Sequence, residues 1–402
     1  MVIVGAGLIG LATARELLGR HPSLRVTVLD KEDRVAAHQS SHNSGVIHQG
    51  VYYAPGSLKA RLCTDGARRI ETFCAEHAIP IVRTGKLIIA RDEGELPALA
   101  ELARRAEANG VRDLRHVAAR EIAEFEPHAV GAAALHSPHS SVVDFSAVAS
   151  AVAAEVVDAG GEIALGREVR RLTHRSGATV VETSAGEIEA RHVIGCAGLQ
   201  SDRLAAMSDP NEMHRLRIIP FRGDYYELRP ERRDLCRGLI YPVPDPRYPF
   251  LGVHFTRRHD GAVWAGPNAV LALAREGYKR TSLEARGLAE LIAFPGFWRM
   301  AGAHWRMGLG EMWRDLAKRS FVRSLRDYVP DVRASDLVGG PSGVRAQAIA
   351  RDGTLVDDLV VSVMPGAIHV RNAPSPAATS SLSIGALIAD RAEETFEIGS
   401  AA

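Results

Sequence analysis

The first thirty residues restrict the fold more than any other stretch. Val2-Ile3-Val4 is a short apolar run, glycines stand at 5, 7 and 10, and an apolar helical pattern continues from Leu11 to Leu18. The order reads as strand, tight turn and helix, with G-x-G-x-x-G at the turn. Gly5 permits the turn, Gly7 lets a pyrophosphate approach the backbone, and Gly10 lets the helix pack against the strand. The N-terminus of that helix then offers N–H groups and a partial positive charge to phosphates. Arg25 to Leu29 reads as a second strand ending at Asp30, 20 positions beyond Gly10 (30 − 10). A carboxylate at that distance accepts hydrogen bonds from a ribose hydroxyl. Strand, motif, helix, strand and acid in this order predict a dinucleotide, while the motif alone leaves FAD and NAD both open.

The rest of the composition sets broad bounds. The chain has 402 residues, 46% of them hydrophobic and 24% charged. That is enough for one large or two ordinary domains with a substantial core. A net charge of +1 gives no electrostatic reason to expect nucleic acid as a partner. Cys63, Cys74, Cys196 and Cys236 form no C-x-x-C and no zinc spacing, so buried thiols in a reducing compartment are expected and no metal is. No signal peptide is read ahead of the first strand, although the start at Met1 falls almost inside it. No apolar run reaches the roughly 18 residues that a bilayer requires. A cytoplasmic protein is the expectation.

Along the chain, Ser40 to Tyr53 reads as a polar loop closing on a flat group, and Ser57 to His77 as a helix with Leu58, Leu62, Ala67, Ile70 and Phe73 near one face. Gly85 to Ala90 reads as a strand, Glu93 to Asn109 as a helix stopped by Gly110, and Val142 to Ala159 as another helix. Short strands follow over 162–165, 168–174 and 178–183, then a buried strand from His192 into the turn at Gly198. Residues 216–275 are β-rich, with strands over 216–219, 224–228, 238–241, 252–256 and 262–265. Residues 283–328 are helical. Strands at 359–364 and 367–371 and a helix over 377–396 return to α/β style. Nucleotide-type segments thus stand at the start, middle and end, with a β-rich part inserted in two pieces.

Particular runs carry a family resemblance. The N-terminal motif, His192 to Gly198, Gly343-Val344-Arg345 and the proline-rich entry to the last helix resemble the FAD-dependent D-amino-acid-oxidase-like superfamily. Within it, Ser44-Gly45-Val46-Ile47-His48, Phe250 to Thr256, Gly266-Pro267-Asn268-Ala269, Gly343 to Gln347 and Asn372 to Ser381 resemble the L-2-hydroxyglutarate oxidase/dehydrogenase family. Asp30 departs from the pattern, since the superfamily usually has the longer Glu there. The resemblance implies an α/β FAD-binding domain of the glutathione-reductase/D-amino-acid-oxidase type with an inserted antiparallel substrate domain. It places the FAD part at 1–82, 142–214 and 330–402, and the substrate part at 83–141 and 215–329. It implies FAD as cofactor, lined by Gly5, Gly7, Gly10, Asp30, Lys31, Ser41, Asn43, Ser44, Gly45, Val169, Ala197, Gly198, Gly343, Pro374, Ser375, Pro376, Ala377 and Thr379. The implied reaction is oxidation of L-2-hydroxyglutarate to 2-oxoglutarate, with oxygen or a quinone taking the electrons. Other oxidases of this fold, acting on amino acids, glycine or glycerol 3-phosphate, and a flavin-binding protein without turnover are the competing readings.

The residues carry a chemical reading of their own. A flavin that accepts a hydride gains negative charge around N1 and the C2 carbonyl, and a helix N-terminus aimed there stabilises it. The helix expected from about Ala377, with Thr379 in its first turn, supplies such an end. Oxidising a 2-hydroxy acid also needs a base for the hydroxyl proton, and His48 and His254 are the candidates. Tyr241 offers a hydroxyl to the substrate. Arg345, read in a turn entered through Gly343, offers a bidentate clamp for a carboxylate. Lys59, Arg222 and Arg257 are candidates for the second cation that a dicarboxylate needs. The segment with Phe294, Phe297, Trp298, Trp305, Trp313 and Phe321, interleaved with Arg299, Arg306, Arg314, Lys318 and Arg319, reads either as an inward-packed helical unit or as a peripheral membrane contact where a quinone is reduced.

Overall fold

The computed structural model describes residues 1–175, 177–244, 252–316 and 318–398, with backbone alone at 306, 307 and 309–316. Phe250 and Leu251 of the quoted motifs lie outside the described residues, and nothing of the side chains of Arg306, Trp313 and Arg314 is described.

The strand Val2–Val4 is the centre of a six-stranded sheet. Thr27–Leu29 and then Glu162–Ala164 lie on one side, and Val193–Gly195, Ala367–Asn372 and Val360–Met364 on the other. Its pairings are parallel except for the last hairpin. Alternation along a strand sends successive side chains to opposite faces. Ile3 accordingly enters one apolar core, with Leu11, Leu17, Val148, Val152 and Ile388. That core is covered by the helices Leu8–Arg20, Phe145–Asp158 and Ser381–Phe396. Val2 and Val4 enter a second core with Leu172, Val181 and Leu204, under a three-stranded antiparallel sheet.

A larger, mostly antiparallel sheet forms the rest. It runs from Arg115–Ala118 through Ala133–Ser137, Lys86–Ala90, Leu239–Pro242, His254–Arg257 and Val263–Gly266 to Leu216–Leu228 and Leu337–Ala350. Lys86–Ala90 and Leu239–Pro242 pair in parallel. Phe255, Ile240, Phe321 and Leu325 share a core where the helix Lys318–Arg326 covers one face.

Five expectations change. The two short strands read at 216–219 and 224–228 are one strand, because Leu337–Ala350 pairs with it along its length. That partner was not foreseen, and it puts Arg345 inside a strand opposite Phe221 rather than in a turn. It also carries 337–350 into the larger sheet, so the boundary expected at 330 falls ahead of a strand of the other part. The helix read from Val142 begins at Phe145, where Asp144 accepts a hydrogen bond from Ser146 N–H; Ser141 and Val142 are strand. The last helix begins at Ser381, with Ala377 to Ser380 forming a turn before it.

Candidate active site

One cavity of about 1170 Å³ runs between the two large sheets. Gly5, Gly7, Asp30, Lys31, Val169, Ala197 and Gly198 line it from the parallel sheet and its loops. Phe221, Arg222, Tyr225, Tyr241, His254, Gly343 and Arg345 line it from the larger sheet. Asn43, Ser44 and His48 border it from one connecting segment, and Ser375, Pro376, Ala377 and Thr379 from the other.

The nucleotide end follows the glycine logic. Gly5 has φ +114°, and a Cβ there would stand 2.3 Å from the Cys196 carbonyl oxygen. A Cβ at Gly10 would lie 1.9 Å from the Gly5 oxygen, so the helix touches the strand only because no side chain intervenes. Gly10 therefore acts by packing and does not itself line the cavity. At Gly7 a Cβ would meet only Ser40 Oγ, at 3.0 Å, and otherwise open space. Asp30 is held in place by Ala6 N–H at 2.7 Å and Glu32 N–H at 3.0 Å. Lys31 reaches Glu32 at 2.5 Å and Glu276 at 2.8 Å. Those two carboxylates also approach His38, and the ammonium of Lys31 offsets one of their two charges.

Besides Gly10, three residues expected on the cofactor do not line the cavity. The Ser41 hydroxyl turns to the His38 carbonyl and ring of His42. Gly45 is buried under Arg258, whose guanidinium a Cβ would meet at 2.8 Å. Pro374 lies outside the lining. The hydroxyl that does serve this end is Ser40, which accepts from Leu8 N–H at 3.0 Å in the first turn of the helix. Only the short polar run around it signalled that role.

At the other end, Thr379 closes the cavity but its side chain is occupied. Its hydroxyl accepts from His48 N–H at 3.1 Å and donates to the Val46 carbonyl at 3.2 Å. It therefore fixes the backbone of His48 to the turn before the last helix. The N–H groups of that turn, and not the threonine hydroxyl, are what remains to meet a ring system. The carbonyl of His48 accepts from the Cys63 thiol.

His254 lies on the strand His254–Arg257, with its ring stacked on Tyr241 at a centroid distance of 4.0 Å. Its Nδ1 donates to the Gly252 carbonyl at 2.9 Å. A carbonyl only accepts, so this bond assigns the proton to Nδ1 and leaves the lone pair on Nε2. Burial holds the imidazole down to about 4, with Gly252 opposing and Lys86 adding to the shift. Burial likewise holds His48 well below the usual imidazole range, followed by the charges of Lys86, His254, Lys59 and Arg345. Its Nδ1 is buried without a hydrogen bond.

The candidates for a second cation separate. Arg222 lines the cavity but is bound to Asp224 at 3.0 Å. Lys59 lies over the Tyr53 ring and reaches the exposed Asp357 at 2.7 Å. Arg257 bonds the Cys236 carbonyl and does not line the cavity. The sequence reading passed over Lys86, which is 1% exposed behind the Tyr241–His254 stack. A lysine opening the apolar run Leu87-Ile88-Ile89-Ala90 was the signal available.

The cavity fits an extended dinucleotide-flavin, since its open glycine face and its imidazole and guanidinium end belong to one continuous space. Comparison with known proteins decides the family. A family model described as FAD dependent oxidoreductase matches residues 1–391. The chain belongs to the FAD dependent oxidoreductase family. It is 49% identical to the mitochondrial L-2-hydroxyglutarate dehydrogenase of Nematostella vectensis, over 99% of this chain and 91% of that one. It is 45% identical to L-2-hydroxyglutarate dehydrogenase of Indibacter alkaliphilus, over 98% and 99%. Among solved structures, L-alpha-glycerophosphate oxidase from Mycoplasma pneumoniae with FAD bound superposes with a TM-score of 0.78 at 22% identity, covering 97% of this chain and 93% of that one. Glycine oxidase from Geobacillus kaustophilus follows the same fold, with a TM-score of 0.70 at 20% identity, over 98% and 94%. As a member of this family the chain is an FAD-dependent enzyme acting on a small molecule. No helix among its described residues is long and apolar enough to cross a membrane.

Proposed function

We propose that the protein oxidises L-2-hydroxyglutarate to 2-oxoglutarate. The observation that carries this is the lining supplied by the larger sheet: Arg345, His254, Tyr225 and Tyr241, with Arg222 held by Asp224, and no carboxylate among the described lining residues of that sheet. Such a wall suits a dianion and repels nothing that a 2-hydroxy diacid carries. The names of the relatives support the same substrate.

Gly5, Gly7, Asp30, Ala197, Gly198 and the turn from Ser375 to Thr379 would hold FAD, which supplies the acceptor for the hydride from the α-carbon. Arg345 clamps one carboxylate in position and plane. His254 receives the hydroxyl proton on Nε2, with the Gly252 carbonyl fixing the tautomer; His48 stands as the second imidazole of the same wall. Tyr241 keeps the His254 ring in place by stacking and offers its hydroxyl to the substrate. The protein's division of labour follows the two large sheets, nucleotide on the parallel one and substrate on the larger one.

Anaerobic titration with L-2-hydroxyglutarate tests the reading. Flavin absorbance falls with this substrate, while L-lactate is much poorer because it lacks the distal carboxylate. The D-enantiomer fails, since a clamp on the α-carboxylate turns its hydrogen away. Comparable bleaching by L-lactate overturns the diacid assignment.

For electron exit, the outer helices favour a quinone at a membrane surface over oxygen, and a cytoplasmic protein held at the inner face of the cell membrane. Phe294 and Phe321 point inward at 4% and 1% exposure, whereas Trp298 and Trp305 remain 58% and 55% exposed. Indoles beside basic residues suit an interface. Sedimentation with anionic vesicles, reduced in Trp298→Ser/Trp305→Ser, is the expected result; no sedimentation at low salt removes the membrane from the proposal.

A further inference from the structure

Lys86 is a buried ammonium with no anion. It stands in the register of the larger sheet between Leu239 and Ser137, in a strand buried throughout. Its Nζ lies 4.4 Å from the centroid of the Tyr241 ring and 5.4 Å from that of Tyr52. Among the described residues it has neither a carboxylate nor a hydrogen-bond partner. Two aromatic faces offset only part of what a lysine loses on leaving water. Buried charges in folded proteins are paired, or they belong to a site whose partner arrives later. Two polar atoms in this neighbourhood are buried without partners, Tyr52 Oη and His48 Nδ1.

We propose that Lys86 is the positioning residue that makes diacid binding proton-linked: it takes up a proton as a dicarboxylate enters and offsets that charge from behind the Tyr241–His254 stack. This rests on the reading of the substrate as a dicarboxylic 2-hydroxy acid.

The surroundings make the linkage specific to one group. Lys86 is faced by Tyr52 and His48 after the strand Val46–Ile47, by Cys63 from the helix Leu58–Glu76, by Tyr241 from its neighbouring strand and by His254 beyond it. Burial pulls the lysine down to about 7, opposed only by Cys63. Burial holds both histidines far below that point and lifts both tyrosines above their ordinary range, and it pushes the Cys63 thiol up to about 12. Arg345 keeps its charge throughout. Between about pH 7 and 9, therefore, Lys86 is the one group of this set whose charge changes. A dianion favours its charged form and raises its pKa when bound, so affinity falls as pH rises above the free value.

The test is equilibrium dialysis of the flavin-loaded protein with 2-oxoglutarate across pH 6.5–9. In the parent protein Kd weakens about tenfold per pH unit above 7, the slope of a single linked proton. In Lys86→Met, which keeps the length of the side chain and forfeits no hydrogen bond, Kd is flat and equals the weak parent value at high pH. A flat profile in the parent, or an unchanged slope in the variant, overturns the proposal. The parent profile needs no substitution, so poor folding of the variant leaves the test intact. Bleaching of the parent flavin by saturating L-2-hydroxyglutarate at pH 6.5 reads the substrate assignment separately: bleaching with a flat profile defeats only the role of Lys86, and no bleaching defeats the assignment on which it rests.

Discussion

The two side chains at the reacting end make different demands. His254 is neutral because burial disfavours its charged form, so its Nε2 is ready to accept a proton over most of the pH range. The pKa is depressed, so the base is lost only as pH falls through about 4, not through the usual histidine value. The acid limb of kcat/KM should therefore lie well below pH 6, as read by anaerobic flavin reduction. His254→Ala should slow that reduction by roughly 10²–10⁴-fold with FAD retained; a rate within a few-fold of the parent gives the proton to another group. Arg345 works by direction. Its strand position opposite Phe221 aims one guanidinium at the cavity from a rigid ladder. Arg345→Lys keeps the charge but loses the planar fork, and kcat/KM should fall by an amount equivalent to about 2–5 kcal/mol while flavin content is unchanged.

At the scale of elements, one close contact near the site is between a helix and the turn before the last helix. The helix Leu58–Glu76 presents Gly66 to the turn before the last helix, and a Cβ there would lie 2.5 Å from the Thr379 oxygen and 2.7 Å from Ser380 Cα. These are backbone atoms, and they cannot rotate away. Gly66→Ala should push that turn off the helix, destabilise the protein by about 1–3 kcal/mol and weaken FAD retention together. A thermal midpoint and flavin content like those of the parent would show that the turn has room to move. The sequence announced the glycine turn at 5–10 because that chemistry is local, and it announced the strand at Lys86–Ala90 because the run is apolar. Gly66 was invisible, since its partner is more than three hundred residues away. The strand Leu337–Ala350 was missed for a related reason: Gly339, Gly340, Pro341 and Gly343 carry no strand pattern, and the partner Leu216–Leu228 that holds them extended is distant along the chain. Arg345 was read as a clamp from its guanidinium while its setting, a strand and not a turn, was missed. Lys86 was seen as part of a strand and not as a charge, because a sequence does not say which cations lose their water.

On the scale of the whole molecule, the cofactor cavity is a seam between the two large sheets, so a ligand filling it stabilises both. Protein stripped of FAD should melt lower and recover on addition of FAD, by about 2.7 kcal/mol when the ligand stands at a hundred times its Kd. Gly7→Val fills the open face at the glycine turn and should abolish that recovery; an equal response would mean that the motif does not carry the nucleotide. The strand order of the parallel sheet has one more consequence. Val2–Val4 stands early in the sequence, yet one of its two neighbours is Val193–Gly195, and the helix packed most closely over Leu8–Arg20 begins at Ser381. Contacts so distant along the chain form late, because the ends of a long loop must first be brought together. The helix over the glycine turn is covered only once the segment from residue 381 is in place. A chain truncated before residue 381 should therefore be colourless, as read by its flavin absorbance, however well its first half folds.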